Sequence, residues 1–274
     1  LKVAGQPIAQ SNILGTAGSV GPNAFMAAAN IGRQQPDLLS GLDAEGRALV
    51  LQSGRSRLFR RGQAVFRQGE QHDGIYLVES GLVRVFYTSP SGREITLAYW
   101  SAGNFCGGPE VFGVGSHVWS GTAVRDTRVL SISGRALRGL AERLSPLAIG
   151  IIECLIFKGA CYSHLAQVLG TQSVTGRLSS VLGELVRVYG RPVEGGVEIV
   201  MPFTHDDLAS MVGATRQWVS MTLARLADRG VIAKSRRRLV IRQLEQIATM
   251  SDVTVESDVL RPSPSNSKAM RRAL

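Results

Sequence analysis

Two periods divide the chain. From about residue 37 to 140, apolar and polar positions alternate in short runs broken by glycine; from about 145 apolar positions recur every three or four residues. The first region contains AVF, GIYLVESGLVRVFY, ITLAYW, SAGNF and TAVRDTRVLSIS, with SPSGRE as a turn. In it Val83, Val85 and Tyr87 alternate with Leu82, Arg84 and Phe86, and Ile95, Leu97 and Tyr99 alternate with Thr96, Ala98 and Trp100. Side chains of a strand point to opposite faces in turn, so this pattern predicts a barrel or rolled sandwich.

The second region predicts helices. A long one starts near Ser145 and Pro146, a favourable capping pair, and runs to about 169. Ala148, Ile152, Leu155, Gly159, Tyr162, Ala166 and Leu169 alternate spacings of four and three along it, a seam that suits a coiled coil. A second phase through Ile149, Ile152, Ile156, Gly159 and Ser163 fits almost as well, so the register stays open. Cys154 and Cys161 are off the first seam and read as packed thiols. Another helix, TGRLSSVLGELVRVYG at 175–190, leads through RPVEGG into the last unit.

That unit is the most specific part of the chain. In THDDLASMVGATRQWVSMTLARLADRGVI, residues 204–232, Thr204 is a good N-cap, Asp206 and Asp207 fill the first turn, and Leu208, Met211 and Val212 follow at helical spacing. Gly213 stands where the chain must turn, with small Ala209 before it and Val219 after it. Two helices joined by so short a turn need a small residue for close approach, a glycine free to take positive φ, and an apolar lock on the second helix. Thr215 caps that second helix, and Val219, Leu223 and Leu226 form its buried stripe. Arg216, Gln217, Ser220 and Met221 are left on the outer face, where a helix-turn-helix meets base edges. VIAK and LVIR then read as a hairpin around a basic turn from Ser235 to Arg238, a wing whose Arg236 and Arg237 suit phosphate contact.

Composition agrees with a polyanionic partner: the 274 residues carry a net charge of +10 and a pI near 10.2, which favours nucleic acid through counterion release and steering. The longest apolar run, LAIGIIECLIF at 147–157, is about half of what a bilayer requires, so no membrane anchor is expected. No secretory leader is read near the N-terminus. Cys106, Cys154 and Cys161 have no metal-type spacing, and a reducing cytoplasm is the expected compartment. His72, His117, His164 and His205 lie far apart, with no nucleophile elbow, HExxH or phosphate-cradling motif, so no enzyme is expected.

A β-roll, a long central helix, a TGRL helix and a winged helix-turn-helix, in that order, resemble the cyclic AMP receptor protein/FNR (Crp/Fnr) family of bacterial transcription regulators. The resemblance covers roughly residues 55–245 and is carried by FRQGE at 66–70, Gly81 in ESGLVRV, SGREI at 91–95, SAGNF at 101–105, TGRL at 175–178 and VGATRQWVS at 212–220. It implies an α+β chain with a jelly roll like that of cyclic-nucleotide-binding domains (37–144), a dimerisation helix (145–170) and a winged helix-turn-helix (171–250); outside it, residues 1–36, rich in Gly, Ala, Gln, Asn and Ser with little periodicity, read as a flexible extension, and 251–274 as a flexible basic tail. It further implies a homodimer, a palindromic operator in double-stranded DNA, an effector sensed by the roll, and contact with RNA polymerase.

Departures from the family pattern limit what carries over. In members that bind cyclic nucleotides, a Gly-Glu pair holds the ribose and an Arg-Ser pair clamps the phosphate. Here FCGGPEVF at 105–112 puts Gly107 and Gly108 at the first pair, and Val118 and Trp119 stand near the second. The anion has lost its clamp, so no cyclic AMP is expected. An apolar or uncharged ligand is expected instead near Glu110, Trp119, Tyr162 and Ser163, or no ligand, with the roll kept only as a dimerisation scaffold. Members with an iron–sulfur cluster carry an N-terminal cysteine group, and the first cysteine here is Cys106, so no such cluster is expected. Cys106 with His117 or His164 is a candidate haem or redox set, set against the commoner lone buried cysteine. Similar regulators often carry an acid where Gln217 stands and an arginine where Met221 stands, so the operator should differ from the familiar ones.

Overall fold

The computed structural model describes residues 35–199, 204–235 and 238–250. The expected extension up to residue 34, the tail from 251, and the wing arginines Arg236 and Arg237 lie outside the described residues. In chain order the elements are α1 (Ala44–Gln52), β1 (Arg55–Phe59), β2 (Ala64–Phe66), β3 (Gln71–Asp73), β4 (Ile75–Ser80), β5 (Leu82–Thr88), β6 (Glu94–Ser101), β7 (Phe105–Gly107), β8 (Val114–Ser116), β9 (Ser120–Ala123) and β10 (Thr127–Ile132). Then come α2 (Gly134–Arg143), α3 (Ser145–Thr171), α4 (Val174–Tyr189), β11 (Gly190–Val193), β12 (Gly196–Ile199), α5 (His205–Val212), α6 (Arg216–Asp228), β13 (Ile232–Ser235), β14 (Arg238–Ile241) and α7 (Leu244–Thr249).

Two antiparallel sheets, ordered β1-β10-β4-β7 and β2-β9-β5-β6, form the roll. Alternation decides which core each residue joins. Phe59, Val78, Cys106 and Val129 of the first sheet meet Phe66, Val83, Val85, Ala98 and Trp100 of the second inside the roll. The neighbours Ile75, Leu77, Phe105, Leu130 and Ile132 point the other way, and they bury against Leu137 and Leu140 of α2 and Leu147, Ile151 and Cys154 of α3. Gln35 and Pro36, which the sequence put in the extension, are bonded to the roll: Gln35 Nε2 donates to Tyr99 O at 2.9 Å, and Asn104 Nδ2 donates to Pro36 O at 3.3 Å.

The regular alternation expected in β6 fails at one place. Val85 pairs with Ala98, but the next residue, Phe86, pairs with Thr96, so Leu97 is an extra residue in the ladder. A bulge of this kind reverses the face of everything beyond it. Thr96 therefore shares the face of Tyr99 rather than that of Trp100. Tyr87, grouped by alternation with Val83 and Val85, which are buried, lies near the end of β5 and is 38% exposed.

The helix α3 is longer than its apolar run implied. By length and composition it would suit a membrane crossing, which corrects the half-span read from residues 147–157: the helix continues through GACYSHLAQVLGT. Its inward residues Leu147, Ile151, Cys154, Lys158, Cys161, Leu165 and Val168 are buried against protein at alternating spacings of four and three. That is a third phase beside the two read from the sequence. Ile149, Ile152 and Ile156 are left exposed on the far side.

Beyond α3, the helices α4 to α7 and the sheet β11-β12-β14-β13 share one core with Tyr99, Leu165 and Val168. Arg177 of TGRL is buried, and it donates to Val212 O at 2.7 Å and Gln172 O at 2.9 Å. It thus satisfies carbonyls at the ends of two helices, groups that have no partner within a helix. The turn between α5 and α6 relies on Gly213, whose φ is 63°. A β-carbon there would meet Arg93 and Leu169 only at ordinary contact distance, so a substitution is opposed by backbone conformation alone. Gly213→Ala should lower unfolding free energy by roughly 1–2 kcal/mol, read from urea denaturation; an unchanged midpoint would mean the turn has another way to form.

Candidate nucleic-acid interface and sensor cavity

The two helices of the turn are capped as their sequence requires. Thr204 Oγ1 accepts from Asp207 N at 3.1 Å while Asp207 Oδ2 accepts from Thr204 N at 2.8 Å, a capping box at the start of α5. Thr215 Oγ1 accepts from Trp218 N at 3.2 Å and starts α6. Val219, Leu223 and Leu226 are buried in the core with Leu208, Met211 and Val212. Arg216, Gln217 and Met221 are exposed, and Ser220 is half-buried. Two contacts hold this outer face in place. Arg216 Nη1 lies 3.4 Å from Asp206 Oδ2, and His205 Nδ1 lies 2.6 Å from Ser220 Oγ. The wing strands β13 and β14 pair as a hairpin, and Arg238 Nε is 3.2 Å from Glu198 Oε1 of β12, bracing the wing on its own sheet.

A second site lies between the roll and α3. A cavity of about 270 Å³ is bounded by Gly107, Gly108 and Trp119 from the roll and by Leu155, Gly159 and Tyr162 from α3, with Trp100, Phe105 and Lys158 behind them. Trp119 is fixed by its Nε1, which donates to Gly107 O at 2.6 Å. Of the residues the sequence singled out for an effector, Gly107, Gly108, Trp119 and Tyr162 meet here. Glu110, Val118 and Ser163 do not line the cavity. Val118 and Ser163 are exposed, because neighbours along an extended segment or off the inner stripe of a helix point elsewhere. Glu110 reaches to His72 on β3, with Oε2 2.9 Å from Nε2, and this contact holds its carboxyl below the usual range.

His72 also explains the glycine at 108. A β-carbon on Gly108 would fall 2.1 Å from His72 Nε2, so the imidazole occupies the space an acidic side chain at that position would need. His72 stacks in turn near His117, with ring centroids 5.0 Å apart, and His117 stacks on Phe66 at 4.4 Å. Among the described residues, neither nitrogen of His117 has a hydrogen-bond partner.

The sequence missed Lys158. It is buried on the inner stripe of α3, and its Nζ donates to Asn104 Oδ1 at 2.7 Å and Phe105 O at 2.6 Å. The ammonium lies 3.3 Å from the Trp100 ring centroid. The available signal was one lysine, directly after the apolar run at 147–157, inside the longer and mostly apolar stretch LAIGIIECLIFKGACYSHLAQVL. Cys106 is buried, its Sγ 3.7 Å from Tyr76 O, and burial pushes its thiol up to about 12, the opposite of what a reactive thiolate needs. Among the described residues, no three His, Cys, Asp or Glu side chains are grouped to hold a metal ion.

Comparison with known proteins places both regions. Residues 56–144 match the family described as cyclic nucleotide-binding domain, and residues 176–250 match the Crp-like helix-turn-helix domain. The Cyclic AMP receptor protein of Thermus thermophilus is 30% identical over 215 residues, covering 77% of this chain and 96% of that protein. The CRP-like cAMP-activated global transcriptional regulator of Mycobacterium tuberculosis is 28% identical over 191 residues, 69% of this chain and 85% of that one. Among solved structures, the c-di-GMP-responsive global regulator CLP of Xanthomonas campestris has a TM-score of 0.65 at 23% identity, over 73% of this chain and 99% of that chain. That similarity shows the fold alone.

The histidine stack carries a pH dependence. Burial, then the neighbouring His72, lowers His117 from 6.5 to about 4, while Glu70 opposes the shift. The unfolded chain therefore binds more protons than the folded one between these values, and stability is full above pH 6.5 and lost as pH falls toward 4. His117→Phe keeps the stack on Phe66 and should flatten this part of the pH–melting profile. An identical profile in the variant assigns the acid loss to other groups.

Proposed function

The chain belongs to the Crp/Fnr family of transcription regulators, and on that premise we propose that it works as a homodimer on a palindromic operator, its roll sensing an effector other than a cyclic nucleotide. The observation that carries the reading is the outer face of α6: Arg216, Gln217 and Met221 stand exposed at the start of a helix that is capped, turned and buried on its other side. Arginine suits guanine through two acceptors, glutamine suits adenine, and methionine offers apolar contact to a thymine methyl. Thr204, Thr215 and Ser220 position this face, while Arg236 and Arg237 add phosphate contacts from the wing. Bound beside a promoter, such a dimer would meet RNA polymerase, and the cytoplasm is its compartment.

Dimerisation is supported by the free side of α3. Ile149, Ile152, Leu155 and Ile156 are 42–67% exposed, and Gly159 and Ala166 leave room for a second helix to approach. In this reading the second phase, through Ile149, Ile152, Ile156, Gly159 and Ser163, is the seam. Tyr162 and Leu169 of the first phase are half-buried in their own chain.

The cavity favours a sensor over a scaffold whose pocket is filled. Against a cyclic nucleotide stand the His72 ring at the place of the ribose-binding acid and the absence of an arginine where Val118 and Trp119 stand. The raised Cys106 thiol weighs against a redox or haem role for that residue.

Two experiments test the reading. Arg216→Ala should remove about 1–3 kcal/mol of base discrimination per half-site, whereas Arg237→Ala should weaken all sequences about equally and flatten the salt dependence. In competition gel shifts, equal loss of specific and non-specific binding by Arg216→Ala would remove α6 from the reading role. For assembly, Ile152→Glu buries an unpaired carboxylate in any α3 seam and should yield monomers with poor operator binding; a dimer that survives in sedimentation would move the interface elsewhere.

A further inference from the structure

Lys158 is a buried cation without a counter-charge. Two of its three donors go to neutral oxygens, Asn104 Oδ1 and Phe105 O. The ammonium lies against the faces of Trp100 and Phe105, 3.3 and 4.7 Å from their centroids. Among the described residues no carboxylate pairs with it. The titratable groups facing it are the thiols of Cys106, Cys154 and Cys161, and burial pushes the first two up to about 12 and 11, so they remain neutral near pH 7. A cation taken out of water with only dipoles around it lacks the partner that would offset its desolvation.

The same side chain forms part of the cavity wall. Apart from three glycines, the Cys106 thiol and the polar tips of Tyr162 and Trp119, the rest of that wall is apolar or aromatic, chiefly Trp100, Phe105, Val111, Trp119, Leu155 and Tyr162. The volume of about 270 Å³ is at or below the ~300 Å³ where small-molecule pockets usually begin. The cavity therefore asks for a compact apolar body with a single negative group at one end.

We propose that this cavity is the receptor for a small apolar organic acid, whose carboxylate pairs with Lys158 and whose body packs among Trp100, Phe105, Trp119 and Tyr162. The inference rests on the sensor reading and names its ligand class, replacing the uncharged ligand expected from the sequence. Burial lowers the empty-site lysine to about 7, so an arriving anion completes the charge by drawing a proton onto Nζ. Binding and protonation are then one event. Below pH 7 the lysine is already charged and affinity is flat; above it, affinity falls by up to tenfold per pH unit.

The test uses the full chain without DNA, with benzoate and octanoate as probes, benzamide and octanamide as their uncharged counterparts, and cyclic AMP as a control. Occupancy is read from Trp100 and Trp119 fluorescence. The acids should bind at least tenfold more tightly than the amides at pH 7, and calorimetry at pH 8 in two buffers of different ionisation enthalpy should show uptake of close to one proton per site. Lys158→Met should bind acid and amide alike. The comparison of acid with amide is made on the unaltered chain, so it decides the matter even if the variant does not fold. Acids that bind no better than amides, or no binding of either acid, would overturn the proposal. Gel shifts with operator fragments are a separate arm: failure there removes the regulator reading, and leaves the acid site to stand or fall on fluorescence and calorimetry.

Discussion

One helical stripe ties the molecule together. Along the inner face of α3, Leu147, Ile151 and Cys154 belong to the core under the roll, Cys161 to the core inside it, and Leu165 and Val168 to the core of the DNA-binding unit. Burying an aliphatic side chain of this size contributes about 1.5–3 kcal/mol, so each core depends on a different stretch of the same rod. A displacement of α3 cannot be confined to one of them. Lys158 interrupts the stripe near its middle, where its bonds to Asn104 and Phe105 fix the rotation and height of the helix against β7. A polar residue at one inner position is a familiar way to set register at some expense in stability.

The outer side of the same helix has the opposite character. Ile149, Ile152 and Ile156 stand in solvent in the single chain, an apolar patch of the sort that marks an interaction surface. Leu155 and Gly159 belong to this side and also bound the cavity. The cavity and this exposed apolar side thus share a wall one helix thick, so what fills the one bears on what can pack against the other.

Legibility in the sequence followed the range of the forces involved. The helix-turn-helix was readable residue by residue, because caps, a positive-φ glycine and a stripe are encoded within about twenty positions; Thr204, Gly213 and Thr215 do in the fold what their spacing implied. The roll was readable as strands but not as faces. The bulge at Leu97 is a property of pairing between β5 and β6, and nothing within ITLAYW announces it. The helix α2 has a local signal, a Ser133 cap followed by Leu137 and Leu140, but it is short and follows a strand run without a break. The helix α1 buries only Gly46 and Val50 and leaves almost no pattern to detect. α3 was clear as a helix yet ambiguous in phase, since residues apolar on every side cannot say which side meets the roll. The cavity was half legible: its glycines and Trp119 came from motif positions, whereas Lys158 is distant in sequence and defined by what surrounds it in space.

Strand β6 serves two masters. Ala98 and Trp100 complete the roll, while Tyr99 joins the core of the DNA-binding unit and Thr96 Oγ1 lies 3.0 Å from Ser210 Oγ of α5, a buried hydroxyl pair spanning the two units. The two halves are therefore poor candidates for exchange with those of relatives. A chimaera with a foreign helix-turn-helix on this roll would remove the Thr96–Ser210 contact while Thr96 Oγ1 kept its bond from Arg84 Nε at 2.9 Å, so the loss is that of one buried hydrogen bond, about 0.5–1.5 kcal/mol. Divergence at position 96 is thus coupled to divergence at position 210, across the boundary between the two units.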